Sequence, residues 1–388
     1  MENFTIYNPT QLHFGRGVTD TLGKTIEKYG KKVLLMYGKG SIKRNGIYDK
    51  VTEQLKLAGA EIIEYGGIKP NPVFEDVNEA AALGKKHNVD VILAVGGGSV
   101  IDSAKITALT IPCDDSAWRI MIKMAKPQTA VPVIAVLTLA ATGTEMNPFA
   151  VLQNVQTHKK IGYGNPLIYP KHSFLDPAFT FSVSREYTAY GIADLIAHAL
   201  ENYFGAGDAS LSDKFVYSII REAMEFGPAL LDDLHSYDLR AKIMYAATNA
   251  LNGLTGYGRV VGDWGVHSIG HVLSLLYDSP HGATLSVAYP AWMKVVKEKD
   301  PGRISELGKN LFGTTSPDDT ISAFENLFRK LSCPLKMKDL GIDEDKKDEI
   351  IDMMKKNKVD GAHFKLSHHD IERIVGLMYS GNQNIYFA

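Results

Sequence analysis

The stretch Val91-Ile92-Leu93-Ala94-Val95-Gly96-Gly97-Gly98-Ser99-Val100-Ile101-Asp102-Ser103-Ala104-Lys105 decides how the fold is read. A short, wholly apolar run of strand length meets three glycines, and a segment that reads as a helix start follows. Glycines at a strand-to-helix junction let the backbone approach a ligand closely, and the free N–H groups of a helix N-terminus attract phosphate. A pyrophosphate is the natural ligand. The pattern is not GxGxxG, and a glycine turn of this kind also occurs as a plain tight connection.

Outward from this junction the same alternation repeats. Residues 33–37, 61–65 and 131–136 read as strands, and residues near 46–58, 75–87 and 99–110 have helix-length mixed patterning. Strands alternating with helices imply a parallel sheet with helices on its faces. Near Leu175-Asp176-Pro177 the texture changes, and from Ser184 onward helical segments follow one another (roughly 185–204, 211–231, 237–255, 264–278, 300–311, 317–332 and 367–379) without convincing strands. The expected organisation is an α/β dinucleotide-binding domain over 1–183 and an all-α domain over 184–388. The mixed charges of 343–349 read as a solvated helix face.

Two more turns follow strands. Tyr37-Gly38-Lys39-Gly40-Ser41 comes where a dinucleotide fold senses the adenosine ribose. An NAD site needs an acid there. Gly38, with Ser41, Lys43 and Arg44 nearby, removes repulsion and adds donors for a 2′-phosphate, which favours NADP(H) over NAD(H); Lys43 and Arg44 read equally well as surface charges. The segment from Leu137 to Asn147 places hydroxyls and a glycine beyond a strand end, where open α/β sheets bind ligands, although such a turn can equally cap a helix.

In the helical half, Gly265-Val266-His267-Ser268-Ile269-Gly270-His271 and Ser279-Pro280-His281-Gly282 put three imidazoles inside fifteen residues. His267 and His271 lie one turn apart on a helix, as do Asp194 and His198. Pro280 is expected to break the helix and return His281 on a loop. A carboxylate with several neutral imidazoles suits Zn²⁺ or Fe²⁺, not the oxygen-seeking Ca²⁺ or Mg²⁺. A lone histidine is more often a satisfied core residue; two helical pairs and a fifth candidate turn the balance to a metal.

Composition agrees with a protein of this kind. The chain has 388 residues, 45% hydrophobic, with 42 basic and 44 acidic side chains, which leaves no footprint for nucleic acid. Cys113 and Cys333 form no CxxC and fit a reducing cytoplasm. Residues 1–5 lack the features of a secretory leader, and no apolar run approaches membrane-spanning length, so no membrane partner is expected.

Taken together these motifs resemble the iron-containing, metal-dependent group III alcohol dehydrogenases over essentially the whole chain, in particular the butanol dehydrogenase and broad aldehyde reductase branch. The matching pieces are Gly96 to Asp102, Thr138 to Glu145 in a TLxATGxE pattern, Leu175-Asp176-Pro177, Asp194-x-x-x-His198 and the block from His267 to Gly282. The resemblance implies a cleft between the two domains holding metal and nicotinamide. It implies that Asp194, His198, His267 and His281 are the metal ligands, and that His271 lies near the substrate outside the coordination sphere; spacing alone would have paired His267 with His271. It assigns Gly97, Gly98 and Ser99 to the pyrophosphate, Thr138 and Thr142 to the nicotinamide half, Lys160 to the ribose and phosphates, and Asn71 to the adenosine side. Gly38, Ser41, Asp102 and Asn147 complete the expected cofactor-binding set. Lys39 departs from the glycine common in this branch, and Thr144 replaces the more usual serine.

The activity so implied is reversible hydride transfer between the nicotinamide and the carbonyl carbon of a small aldehyde such as butanal. The metal serves as Lewis acid, and the proton comes from His271, since an imidazole titrates near ~6.5, or alternatively from water or ribose hydroxyls. A homo-oligomer, a homodimer in the simplest case, is also implied. A polyol dehydrogenase or a dehydroquinate synthase relative would share the fold. The latter needs basic residues around a phosphorylated, carboxylated substrate, whereas Ala193, Ile196, Ala197, Val266, Ile269 and Val272 surround the ligands here. A nucleotide-responsive metal-binding protein without turnover is the reading from another class, but Thr138 and Thr142 make most sense if the nicotinamide end is positioned.

Overall fold

The computed structural model describes residues 1–380, which form two compact units. One comprises Tyr7–Ser184 with Leu234–Asn252; the other comprises Met1–Ile6, Arg185–Asp233 and the residues from Gly253 onward. The strands are β1 (Gln11–Phe14), β2 (Lys32–Gly38), β3 (Glu61–Ile68), β4 (Val91–Gly96), β5 (Val133–Leu137), β6 (Phe149–Asn154), β7 (Lys159–Gly164) and β8 (His172–Leu175). The helices of the first half are α1 (Leu22–Ile26), α2 (Ser41–Arg44), α3 (Ile47–Leu57), α4 (Phe74–His87), α5 (Gly98–Thr110) and α6 (Ala117–Met121). Those that follow are α7 (Arg185–Tyr203), α8 (Ser210–Asp232), α9 (Tyr237–Ala250), α10 (Gly265–Tyr277), α11 (His281–Val296), α12 (Pro301–Leu311), α13 (Pro317–Lys330), α14 (Lys347–Lys356) and α15 (His368–Ser380).

The sheet order is β1-β8-β5-β4-β2-β3, parallel throughout, with β6 and β7 as a separate antiparallel pair. Successive side chains of a strand face opposite sides. Leu34, Met36, Ile92 and Ala94 therefore pack with Val100, Ile101 and Ala104 of α5. Val33, Leu35, Val91, Leu93 and Val95 pack on the other face with Leu22 and Ile26 of α1 and Val51 and Leu55 of α3. Burial on both faces explains why these strands are apolar runs without alternation. Each fully buried aliphatic side chain contributes about 1.5–3 kcal/mol.

After β2 the chain moves to β3 on one side and returns to β4 on the other. The order of strands thus reverses at β2 and β4, and the turns after both leave the carboxyl edge at that reversal, where open α/β sheets receive ligands.

The division departs from a single cut at 183/184. Met244 of α9 is buried in the same core as Leu137 and Leu175, and Thr248 Oγ1 donates to Glu145 Oε1 at 2.6 Å, so this helix belongs with the sheet. In the other unit, Glu2 N donates to Gly258 O at 2.9 Å and Phe4 stacks on Tyr257. His281 is not on a loop: Asp278, at φ 51, ends α10, and Pro280 occupies the N-cap of α11 with His281 as its first residue. Proline is compatible with a helix start. Pro280 and Pro290 together had made this helix illegible, and β1 and β8, at four residues each, are too short for a periodic signal. Among the described residues no helix is long and apolar enough to cross a membrane.

Candidate functional site

Three turns meet the carboxyl edge of the sheet. Gly97 is the N-cap of α5 and Gly98 its first residue. A Cβ on Gly98 would lie 2.7 Å from Thr142 Cγ2, so the absence of a side chain lets the glycine turn and the Thr138–Asn147 loop close on each other. Thr138 N donates to Gly96 O at 3.0 Å, which fixes the start of that loop to the same turn. Ser99 Oγ donates to Pro70 O. Next to Pro70, buried Asn71 accepts from Lys160 Nζ at 2.8 Å through its Oδ1. The asparagine expected on the adenosine side and the lysine expected at the ribose and phosphates are therefore joined to each other. Gly38 ends β2, and Ser41 opens α2 after Gly40, whose φ is 100.

Two residues of the expected set are turned into the protein. Asp102 accepts from Thr144 Oγ1 at 2.6 Å with one oxygen and from Val151 N at 2.9 Å with the other. Asn147 donates from Nδ2 to Gly143 O and accepts from Phe149 N, both at 2.9 Å. Between them sits Lys105, missed in the sequence. It is fully buried, and its ammonium donates to Thr144 O (2.6 Å), Thr144 Oγ1 (2.7 Å), Asn147 O (2.8 Å), Phe149 O (2.8 Å) and Asn147 Oδ1 (3.2 Å). Burial pushes its pKa down while Asp102 and Glu145 pull it up. Three N–H bonds shared among five oxygens tie α5 to the loop after β5. Its position one turn after Asp102 was the available signal.

In the helical unit, α7 is buried from Gly191 to Tyr203 and carries Asp194, His198 and Glu201 at spacings of four and three. α10 carries His267 and His271, and α11 opens with His281. Asp194 Oδ1 lies 3.8 Å from His267 Nε2, 4.0 Å from His281 Nε2 and 3.7 Å from His198 Nδ1. One ligand atom each from Asp194, His267 and His281 falls within 4.8 Å of the others. His198 stacks on the His267 ring at 4.7 Å, and His271 lies 5.3 Å from the His281 ring. A divalent ion suits this donor set. The buried His198 Nδ1 and His267 Nε2 have no hydrogen-bond partner among the described residues, and buried polar atoms are ordinarily satisfied.

The electrostatics differ between the two imidazoles. Burial is the main influence on His198; with a smaller push from His267 it outweighs the pull of Asp194 and takes the pKa to about 4, leaving a neutral ring that can donate to a metal. Burial also acts to lower His267, but the Asp194 and Glu201 carboxylates outweigh it and lift the ring to about 9. His267 Nδ1 is 2.8 Å from Glu201 Oε1. The sequence reading passed over Glu201, although it repeats the helical spacing of Asp194 and His198. Trp264, at φ 64, precedes α10 and stands edge-on to the His267 ring.

Comparison with known proteins agrees with both halves. Residues 9–177 match the family described as "Iron-containing alcohol dehydrogenase", and residues 188–379 match "Fe-containing alcohol dehydrogenase family, C-terminal". A Bacillus subtilis protein named "Probable NADH-dependent butanol dehydrogenase 1" is 41% identical over 97% of this chain and 99% of its own length. An NADPH-dependent aldehyde reductase of Escherichia coli is 34% identical over 96% of this chain and 97% of its own. The crystal structure of an NADH-dependent butanol dehydrogenase A from Thermotoga maritima superposes with a TM-score of 0.94 at 40% identity, covering 98% of this chain and 99% of that one. The chain therefore belongs to the iron-containing alcohol dehydrogenase family and is an oxidoreductase of its butanol dehydrogenase and aldehyde reductase branch.

Proposed function

We propose that the protein reduces small aliphatic aldehydes, butanal among them, to primary alcohols and runs the reaction in reverse, with NADPH preferred over NADH. Asp194, His198, His267 and His281 would hold one divalent ion, Fe²⁺ or Zn²⁺. The carrying observation is that one ligand atom each from Asp194, His267 and His281 lies within 4.8 Å of the others, with His198 Nδ1 3.7 Å from Asp194 Oδ1 and the buried His198 Nδ1 and His267 Nε2 unpartnered among the described residues. Once bound, the ion would supply a positive field that polarises the aldehyde carbonyl, and the nicotinamide would supply the hydride. Among the direct ligands Asp194 would bring one negative charge and the imidazoles, neutral when metal-bound, none, so a divalent ion would keep net positive charge within its ligand shell. His271, beside His281 and outside the ligand set, would hold the proton for the product alcohol. Gly97, Gly98 and Ser99 would seat the pyrophosphate, Thr138 and Thr142 the nicotinamide half, and Lys160 with Asn71 the ribose side. Ala193, Ile196, Ala197, Val266 and Ile269, the apolar sequence neighbours of the ligands, are all buried and bring no charge that would call for a charged substrate.

The NADPH preference rests on the end of β2. No acid follows it, and Glu64 on the adjoining strand is committed elsewhere: Tyr37 Oη donates to it at 2.7 Å, Tyr48 Oη at 2.5 Å, and Lys43 Nζ lies 3.5 Å away. The Tyr48 hydrogen bond leads in holding Glu64 below its usual pKa, so it stays ionised and paired. Lys43, between the Tyr37 and Tyr48 rings, is likewise engaged, which leaves Gly38 and Ser41 to set the preference. A Cβ at Gly38 meets nothing closer than Ile68 O at 3.6 Å, so a side chain fits. Gly38→Asp should shift the kcat/KM ratio toward NADH by roughly tenfold or more, since charge-assisted bonds are worth ~1.5–3 kcal/mol. Steady-state butanal reduction with each cofactor tests this. Wild-type protein that already prefers NADH would show the reading of Gly38 and Ser41 to be wrong.

A further inference from the structure

We infer that Glu201 is the positioning residue of the metal site: it sets the tautomer and direction of His267, and through that the affinity and ligand field of the ion. The inference rests on the proposal that His267 binds the metal. Glu201 is completely buried on α7, seven residues after Asp194 and three after His198, so it projects from the same face as both. Its Oε1 lies 2.8 Å from His267 Nδ1 and accepts from His267 N at 2.8 Å, while Oε2 accepts from Trp264 N at 2.6 Å. An ionised carboxylate only accepts, so Nδ1 carries a proton in either charge state of the ring, and Nε2 is the nitrogen left to bind a metal in place of its own proton. Nε2 is the atom that faces Asp194 Oδ1 at 3.8 Å, with no hydrogen-bond partner among the described residues.

The same carboxylate begins the helix. α10 receives no side-chain hydrogen bond from its own N-cap, Trp264, whose φ of 64 is strained for a bulky residue. Glu201 takes over that function from another helix, with one oxygen on Trp264 N and the other on His267 N. It therefore fixes the imidazole at both ends, by its backbone and by its ring. Donating its ring N–H to a carboxylate also makes the imidazole a stronger ligand for a metal, and loss of such a partner typically weakens metal affinity by about 10–100-fold. A purely structural role would lower the unfolding temperature and leave the metal affinity of the folded protein unchanged.

Glu201→Gln separates these roles, because an amide oxygen can still accept from His267 while the charge is lost. Co²⁺ affinity by chelator competition and the Co²⁺ visible absorption spectrum are measured on folded wild-type and variant protein, beside the thermal transition. The expected result is weakening by about tenfold or more with a shifted visible band. Equal affinity and an unchanged spectrum in a folded variant would overturn the role of Glu201. Wild-type protein that binds no Co²⁺ at all would instead overturn the metal assignment. If the variant does not fold, ¹⁵N-histidine NMR of Zn²⁺-loaded wild-type protein decides: a slowly exchanging, strongly downfield Nδ1 proton on an Nε2-bound imidazole is expected, and its absence counts against the inference.

Discussion

His267→Ala should purify without its divalent ion and reduce butanal about a thousandfold more slowly or worse than the wild type. The ring is one of the groups converging on Asp194 Oδ1, and its Nε2 has no hydrogen-bond partner among the described residues. A Lewis-acid metal typically supplies several kcal/mol of charge stabilisation, and each ~1.4 kcal/mol lost is tenfold in rate. Loss of the side chain also leaves Glu201 buried without its imidazole, which compounds the effect. His271→Ala, one turn along the same helix, is the control. It should retain the ion and lose turnover, with an altered pH profile. Metal analysis of the two variants side by side checks the assignment; a metal-replete His267→Ala or a metal-free His271→Ala would reverse it.

Lys105→Met should destabilise the sheet-bearing unit by about 3–5 kcal/mol, among the largest effects available to a single change in this chain. Methionine has nearly the same reach but no donors, so the carbonyls of Thr144, Asn147 and Phe149 would lose the ammonium that holds them. Asp102 and Glu145, both buried, would lose their positive neighbour. The loop from Thr138 to Asn147 should loosen from α5, so NADPH affinity should fall along with stability. Urea unfolding and NADPH titration together provide the measurement. A loss below about 1 kcal/mol would mean that the cage is replaceable by ordinary packing.

How much of this was legible in the sequence depends on the range over which each signal acts. The βα alternation of residues 33–110 is a local property of apolar runs and glycine turns, and β2, β3, β4, α3, α4 and α5 all lie close to where those signals put them. The motif histidines were visible because helical spacing is also local. The position of α9 was not: its composition matches its neighbours, and it is long-range contacts, Met244 in the core that holds Leu137 and Leu175 and Thr248 Oγ1 on Glu145, that show which core it serves. Helix α11 was hidden by Pro280 and Pro290, which act as breaks in sequence but stand at a helix start and inside a helix in the structure. Asp102 and Asn147 looked ligand-facing from their motifs, whereas their partners, Thr144, Val151 and Lys105, are 42 to 49 residues away for the two bonds of Asp102 and the longest bond to Asn147. Glu201 was passed over for the same reason, since its partner His267 lies 66 residues on.

The most direct test is a metal titration under turnover. Protein stripped with a chelator is supplied with Fe²⁺ or Zn²⁺ in substoichiometric steps while NADPH oxidation by butanal is followed. The expected result is no turnover without metal, then a linear rise to a plateau at one ion per chain for whichever ion supports the reaction. Full butanal turnover by the metal-free protein, or none at metal saturation with either ion, would contradict it.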